Sequence, residues 1–349
     1  MTKTLPHSVI CILAMFSMSG CNVTKINIVF TPVQKPVNIL YDDDCDGDID
    51  CAVTQPILHH WIDTGDLKVW GMVSSGPSQL GAPTLSVFRN YYGHRNLFTI
   101  GALTPSCSMR PSAAWNTAVV NRFDPGDTCA NYPNCAVVLR QSIAQFAASG
   151  GSANGLTYVS TGPLSCEEEF RSSPPDAISP LNGLQMEQKY IQKFVLLNGL
   201  APRGQEANCA EDALSCSRFF QDVTTQNGYP PVYAVPLNTG ADHVITYVPV
   251  NQLPDSNPSA YAFRTSHRAS SEVEDALAIE FAVFGNTGWT ISLDSTDAAD
   301  SATGFNQWAS SVESGQYYLT TAINPSFFEM VLESPWLPDA SGTTSSIHR

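Results

Sequence analysis

Val37-Asn38-Ile39-Leu40-Tyr41-Asp42-Asp43-Asp44-Cys45-Asp46-Gly47-Asp48-Ile49-Asp50-Cys51-Ala52 decides how the chain is read. The run 37–40 is short and aliphatic, and reads as a strand. It ends in an acidic stretch, 42–50, with six Asp in nine residues. A helix is expected over 52–63, with Val53, Ile57 and Trp61 as its apolar positions. Outward from there the pattern repeats. Strands are expected over 67–74, 96–100, 155–160, 193–197 and 232–235, and helices over 85–92, 138–148, 186–191, 210–220 and 273–284. Late strands over 289–293 and 317–320 suit antiparallel pairing, and 105–135 and 250–270 read as long Pro/Ser-rich loops. Strands alternating with helices predict an α/β fold: an open, mainly parallel twisted sheet flanked by helices. Ligands in such sheets bind beyond the C-terminal ends of the strands. That singles out 42–50, 74–77, 161–166, 198–208 and 236–243.

Composition narrows the function. The 349 residues carry 17 Lys+Arg against 32 Asp+Glu, a net charge of −15. A phosphate backbone or an anionic lipid surface would be repelled, so nucleic acid is excluded as a partner. Hydrophobic residues make up 43%, enough for a sizeable core, so the chain is not a disordered acidic tail. Charged residues are only 14%, against a usual ~25%, which suits an exported protein. Residues 1–20 read as a signal peptide: Lys3, an apolar run from Val9 to Met18, then small residues. Met18-Ser19-Gly20-Cys21 resembles a lipoprotein box with Cys21 as the lipidated residue; an ordinary secretory signal is the alternative. The expected location is the outer membrane through that anchor, otherwise the periplasm or the extracellular space. Residues 21–35 then form a spacer, 36–336 one domain, and 337–349 a polar tail. Without Cys11 and Cys21, eight Cys remain, an even set that implies disulfides in an oxidising compartment. Spacing favours Cys209–Cys216, and Cys107 with Cys129 or Cys135. His59 and His60 are expected at the surface, and His243 in an exposed loop.

Three readings of the acidic stretch compete. A solvated loop is weakened by the strand that delivers it and the helix that leaves it. An EF-hand-like loop matches at Asp42, Asp44, Asp46, Gly47, Ile49 and Asp50, but Val53 stands where the bidentate Glu belongs. The third is a calcium site at the end of the first strand of an α/β enzyme. Oxygen donors in this number suit a hard cation.

The motifs support the third reading. Asp42-x-Asp44, followed by Ile49-Asp50-Cys51-Ala52, resembles the first-strand signature of the nucleoside hydrolases, in particular a divergent bacterial nucleoside hydrolase-like branch. Gly71-Met72-Val73-Ser74-Ser75, Tyr91-Tyr92-Gly93 with Phe98-Thr99-Ile100-Gly101, Thr161-Gly162-Pro163-Leu164-Ser165-Cys166, 173–181, 194–199 and Gly204-Gln205-Glu206-Ala207-Asn208 follow in the family's order over nearly all of 36–336. The resemblance implies hydrolysis of an N-glycosidic bond of a nucleoside or related sugar substrate, with a bound Ca²⁺ that holds the attacking water. It implies Asp50 as general base. Asp44, Asp48, the Ser165 carbonyl and Asp275 become metal ligands. Asn198, Glu206 and Asn208 become sugar contacts. Relatives often assemble, which implies a homo-oligomer.

Each role has a plainer alternative. Asp275 could serve only as a charge at a helix N-terminus, Glu206 and Asn208 as loop polar groups, and Asp212 as a helix cap. The chain also departs from the family pattern. Cys51 replaces the second Asp of the pair, Cys166 replaces an Asn, and Gly76-Pro77 replace a sugar-contacting Asn. The resemblance suggests a Cys51–Cys166 disulfide across the metal site, or Cys45 bonded to one of them, which would weaken or remove Ca²⁺. Asp46 or Asp48 is the alternative source of the missing ligand. A catalytically impaired sugar- or nucleoside-binding protein is therefore the second reading.

Overall fold

The apolar run that opens the domain continues into the acidic stretch as one strand, β1 (Val37–Asp43), in a computed structural model that describes residues 36–104, 107, 110–225, 228–238, 245–247 and 253–321. The signal peptide, Cys21, the spacer, His243 and the polar tail lie outside the described residues. Helix α1 (Cys51–Asp63), β2 (Leu67–Ser74), α2 (Gly81–Tyr91) and β3 (Thr99–Ala102) follow. Next come α3 (Ala114–Phe123), α4 (Cys135–Ala148), β4 (Leu156–Ser160), α5 (Ser165–Arg171), α6 (Gly183–Tyr190) and β5 (Ile191–Leu196). The chain continues through β6 (Arg203–Gln205), α7 (Ala207–Glu211), α8 (Ala213–Thr225), β7 (Val232–Ala234) and β8 (Ile245–Tyr247). It then forms α9 (Pro258–Thr265), β9 (Ser270–Glu272), α10 (Glu274–Phe284), β10 (Trp289–Ile291), β11 (Ser295–Ala299), β12 (Phe305–Ser310) and β13 (Gln316–Thr321).

The large sheet runs β3-β2-β1-β4-β5-β7-β13-β11-β12-β6, with β10 on the side of β13. Every pair from β3 to β13 is parallel. The remaining pairs, β13–β11, β11–β12, β12–β6 and β10–β13, are antiparallel. The expected α/β class holds. Strand order reverses at β1: the chain first builds outward to β2 and β3, then returns to lay β4 on the other side. The crevice at such a switch point is where ligands sit in open α/β sheets, and the acidic loop lies at that end of β1.

Both faces of the central strands are covered, which is why they read as continuous apolar runs. Successive side chains point to opposite faces. Ile39 and Tyr41 join the core made with α1, α2 and α10. Leu40 joins the core made with α4, α5, α6 and α8. The alternation continues into the acids: Asp42 meets Tyr158 of β4, and Asp43 meets Gln55 of α1.

Several expectations are corrected. Asp42 and Asp43 belong to the strand and are fully buried. The supposed loops 105–135 and 250–270 contain α3 and α9. The last strand, β13, pairs antiparallel with β10 and β11 but parallel with β7. His59 is fully buried, because α1 is flanked by α2, α9 and α10; its ring stacks on Tyr92 with centroids 4.9 Å apart. His59 Nδ1 lies 2.7 Å from His94 Nδ1, and His94 Nε2 lies 2.9 Å from Asp63.

The disulfides are Cys45–Cys51, Cys107–Cys129, Cys135–Cys166 and Cys209–Cys216, with Cα separations of 5.3, 6.2, 5.7 and 5.3 Å. The spacing expectation for Cys209–Cys216 and the Cys107–Cys129 option hold. The Cys51–Cys166 bridge does not form. Cys166 opens toward the head of α4, which packs on α5, and Cys51 closes back on Cys45 across the acidic loop.

Candidate functional site

Three ends of chain define the site. The loop 44–50 leaves β1, the turn 161–165 leaves β4, and the stretch 197–208 leaves β5. Backbone bonds tie them together: Thr161 N–H donates to Asp42 O (2.8 Å), Ser75 N–H to Asp43 O (3.3 Å), and Leu197 N–H to Ser160 O (2.8 Å). The start of α10 brings Asp275 to the same place.

Asp43 has a structural task. Its Oδ1 accepts the Cys45 N–H and its Oδ2 accepts Gln55 Nε2, both at 2.8 Å. Asp42 Oδ2 accepts the Tyr158 hydroxyl at 2.9 Å. Burial raises both carboxyls, Asp42 to about 8 and Asp43 to about 6.

The next acids have fewer partners. Asp50 precedes α1, and its carbonyl accepts the N–H groups of Val53 and Thr54 at 2.8 Å. Its side chain makes no capping bond and instead hydrogen-bonds to the exposed Asp48. Burial, then the charges of Asp275 and Asp48, hold the Asp50 carboxyl well above the usual range. Asp275 is buried in the first turn of α10, and its Oδ2 has no hydrogen-bond partner. Burial, then Asp43, Asp48 and Asp44, push its carboxyl up. Asp44 is raised by burial and by Asp46, Asp48, Asp43 and Glu211. The structure thus brings Asp44, Asp48, Asp50 and Asp275 into one acidic group. Asp44, Asp50 and Asp275, raised by burial and by neighbouring acids, with one buried orphan oxygen on Asp275, are donors that a hard cation would relieve.

The sugar-contact candidates are more occupied. Glu206 caps α7: its carboxylate accepts the N–H groups of Asn208 (2.7 Å), Cys209 (3.2 Å) and Gly199 (3.2 Å). Burial, against those bonds, raises it to about 6. Asn208 Nδ2 donates to Thr161 O and Leu197 O at 3.2 Å, joining the ends of β4 and β5. Asn198 is buried, with Nδ2 unpartnered. The Ser165 hydroxyl donates to Asp212 (2.7 Å), and Asp212 accepts the Ser215 N–H (3.1 Å) as the expected cap of α8.

Among the described residues a thiolate metal site is not available. An Asp43 oxygen and the sulfurs of Cys45 and Cys51 lie within 4.8 Å of one another, but the two sulfurs are bonded to each other. A residue that sequence reasoning missed is Arg110. It leaves the long loop before α3 and makes ion pairs with Asp46 and with Glu211 Oε2. No repeat, motif or spacing marks a single arginine in a loop, so nothing in the sequence signalled it.

No family model matches the chain. No curated protein matches it either. Solved structures do. A purine-preferring ribonucleoside hydrolase from Gardnerella vaginalis is 14% identical, with a TM-score of 0.57, over 84% of this chain and 96% of that one. An inosine-guanosine nucleoside hydrolase is 16% identical, with a TM-score of 0.61, over 84% and 97%. The type III effector protein XopQ, solved in complex with adenosine diphosphate ribose, is 12% identical, with a TM-score of 0.57, over 87% and 93%. At these identities the likeness shows the fold: this chain has a nucleoside hydrolase-like fold.

Proposed function

We propose that the protein hydrolyses the N-glycosidic bond of a ribonucleoside-type substrate at the crevice beyond β1, β4 and β5. The observation that carries this is the acidic group of half-buried Asp44 with buried Asp50 and Asp275 at the switch point of a nucleoside hydrolase-like sheet. A divalent cation, Ca²⁺ by the donor chemistry, would be held by Asp44, Asp48, Asp275 and the Ser165 carbonyl. When bound, it supplies charge that acidifies a water and orients a sugar diol.

The chain's own residues do the rest. Asp50, raised by burial and by its neighbours, is a better proton acceptor near neutral pH than an exposed carboxylate. It takes the proton of the attacking water. The negative field of the same acids stabilises the positive charge that develops on the sugar as the bond to the base breaks. Asn198 offers its unpartnered Nδ2 to a sugar hydroxyl. Glu206 and Asn208 hold the floor of the site by backbone bonds and present their remaining oxygen capacity to the ligand. The chain is exported and anchored through Cys21 in this reading, and works as a homo-oligomer.

A second reading is a non-catalytic binder of nucleosides or sugars. The observation that favours it is that Cys51 and Cys166 stand at two positions where donors are expected and both are locked in disulfides. Titration of chelator-treated protein with Ca²⁺, with release of ribose from mixed nucleosides followed in parallel, separates the two. The enzyme binds the ion and turns over, and Asp50→Asn abolishes turnover while ligand still binds. Binding of ribosides without turnover, unchanged by Asp50→Asn, establishes the binder. Absence of any cation or riboside binding refutes both.

A further inference from the structure

Arg110 reaches its position through backbone contacts rather than through its charge. Its N–H donates to Pro77 O (3.0 Å), and Ala113 N–H donates to Asp46 O (3.4 Å). The Ser78 and Ser112 hydroxyls pair at 2.7 Å. The Cys107–Cys129 bridge holds the start of the loop. The guanidinium then joins two acids from different segments. Asp46 belongs to the acidic loop, and Glu211 ends α7, the helix that carries Asn208. Asp46 is buried, and a slot is kept for it: a Cβ on Gly76 would collide with Asp46 Oδ2 and come within 3.1 Å of Asp44 O. One oxygen of each acid, Asp46 Oδ2 and Glu211 Oε1, is buried and without a hydrogen-bond partner.

Arg110 thus carries a positive charge into the acidic crevice, paired with Asp46 on one side and Glu211 on the other.

We infer that Asp46 and Glu211 form a second divalent-cation site, filled in this protein by the Arg110 guanidinium. Two carboxylates from separate segments, each with one buried oxygen unused, supply up to four of the six to eight oxygens Ca²⁺ takes, and water would supply the rest. The guanidinium takes the place of the ion and blocks it. Arg110 thus sets how many cations the crevice accepts. The inference rests on the proposed cation-dependent reading of the neighbouring acids only for the number of ions bound by the unaltered protein, not for the change on removing Arg110.

The test is calorimetric titration of the chelator-treated chain with CaCl₂. Arg110→Gln should bind one more Ca²⁺ than the unaltered chain, with an affinity of about 10⁻⁴–10⁻³ M, the range of weak extracellular sites. The triple variant R110Q/D46N/E211Q should lose that added ion. An equal stoichiometry in R110Q and the unaltered chain overturns the inference. So does an added ion that survives in the triple variant. If the unaltered chain binds no Ca²⁺, the proposed metal-dependent function fails, but the difference between variant and parent still decides this point. If R110Q unfolds in chelator, about 10 mM Ca²⁺ should restore its circular dichroism, since ligand bound only to the folded state stabilises it. Failure to restore it overturns the inference too.

Discussion

Removing the Cys45–Cys51 bridge by Cys45→Ala/Cys51→Ala should weaken both the fold and the site, for separable reasons. The bridge closes a ring of seven residues, with a sequence separation of 6. The chain-entropy relation gives about 2.4 kcal/mol for a ring of that size. With a urea m-value of about 2–3 kcal/mol/M, the unfolding midpoint should fall by roughly 1 M. The ring also contains Asp46, Asp48 and Asp50. Once it opens, those acids must be ordered by the ion itself, and ordering costs about 1–2 kcal/mol per residue fixed. Even one residue's worth predicts a Ca²⁺ affinity about 5- to 30-fold lower. The control is Cys209→Ala/Cys216→Ala, whose separation of 7 gives nearly the same stability loss outside the acidic loop. It should lower the midpoint equally and leave Ca²⁺ affinity in place. Paired urea melts and calcium titrations decide the matter. A lower midpoint with unchanged calcium affinity in the 45/51 variant would refute the claim that the bridge preorganises the acids.

Three other outcomes are expected. Asp275→Asn removes one member of a buried like-charge group, so in chelator the melting temperature should rise, while calcium no longer stabilises the protein; a fall in chelator would show that Asp275 is satisfied without an ion. Glu280 is buried, accepts Trp289 Nε1 at 2.6 Å, and is raised from 4.5 to about 8 by burial. The folded state thus holds that proton more tightly than the unfolded chain. Its contribution is complete below pH ~4.5 and is lost as pH rises through 8, on the order of 5 kcal/mol. Urea midpoints in chelator should fall over that window, and Glu280→Gln should flatten the fall; a midpoint that rises with pH in both proteins defeats the assignment. Gly183→Ala places a Cβ against the Phe170 carbonyl oxygen at the head of α6, so it should destabilise by about 2–4 kcal/mol in denaturant melts. A change below about 0.5 kcal/mol would mean that α6 shifts freely, as surface positions do.

The central strands were legible because both of their faces are covered. The run 67–74 matches β2 residue for residue, and α1 begins one residue before its expected start. What was not legible depended on partners far along the chain. Helix α3 lies inside a Pro- and Ser-rich stretch whose composition reads as loop, and it packs on α9, itself in another such stretch. Adjacent histidines looked solvent-facing, yet α1 is enclosed, so one of them is core. Arg110 meets acids 64 and 101 residues away, and no local pattern encodes that. The acidic stretch was legible as a cluster. Its division was not: Asp42 and Asp43 finish a strand and serve its neighbours, whereas Asp44, Asp48 and Asp50 face the crevice.

That division bears on what the cysteines do. Two cysteines at expected donor positions could bond to each other and seal the crevice. Geometry directs each of them sideways instead. Cys51 sits at the first turn of α1, 5.3 Å in Cα from Cys45, and Cys166 sits on α5, 5.7 Å from the head of α4. Neither bridge crosses from the β1 loop to the β4 turn. The Asp275 oxygen remains without a hydrogen-bond partner among the described residues. Each bridge instead staples its own segment: Cys45–Cys51 closes the loop after β1, and Cys135–Cys166 ties the head of α5 to α4. A binding site with fewer ligands loses less affinity when those ligands need no ordering on binding. The prediction from Cys45→Ala/Cys51→Ala is therefore a test of that preorganisation as well as of one disulfide.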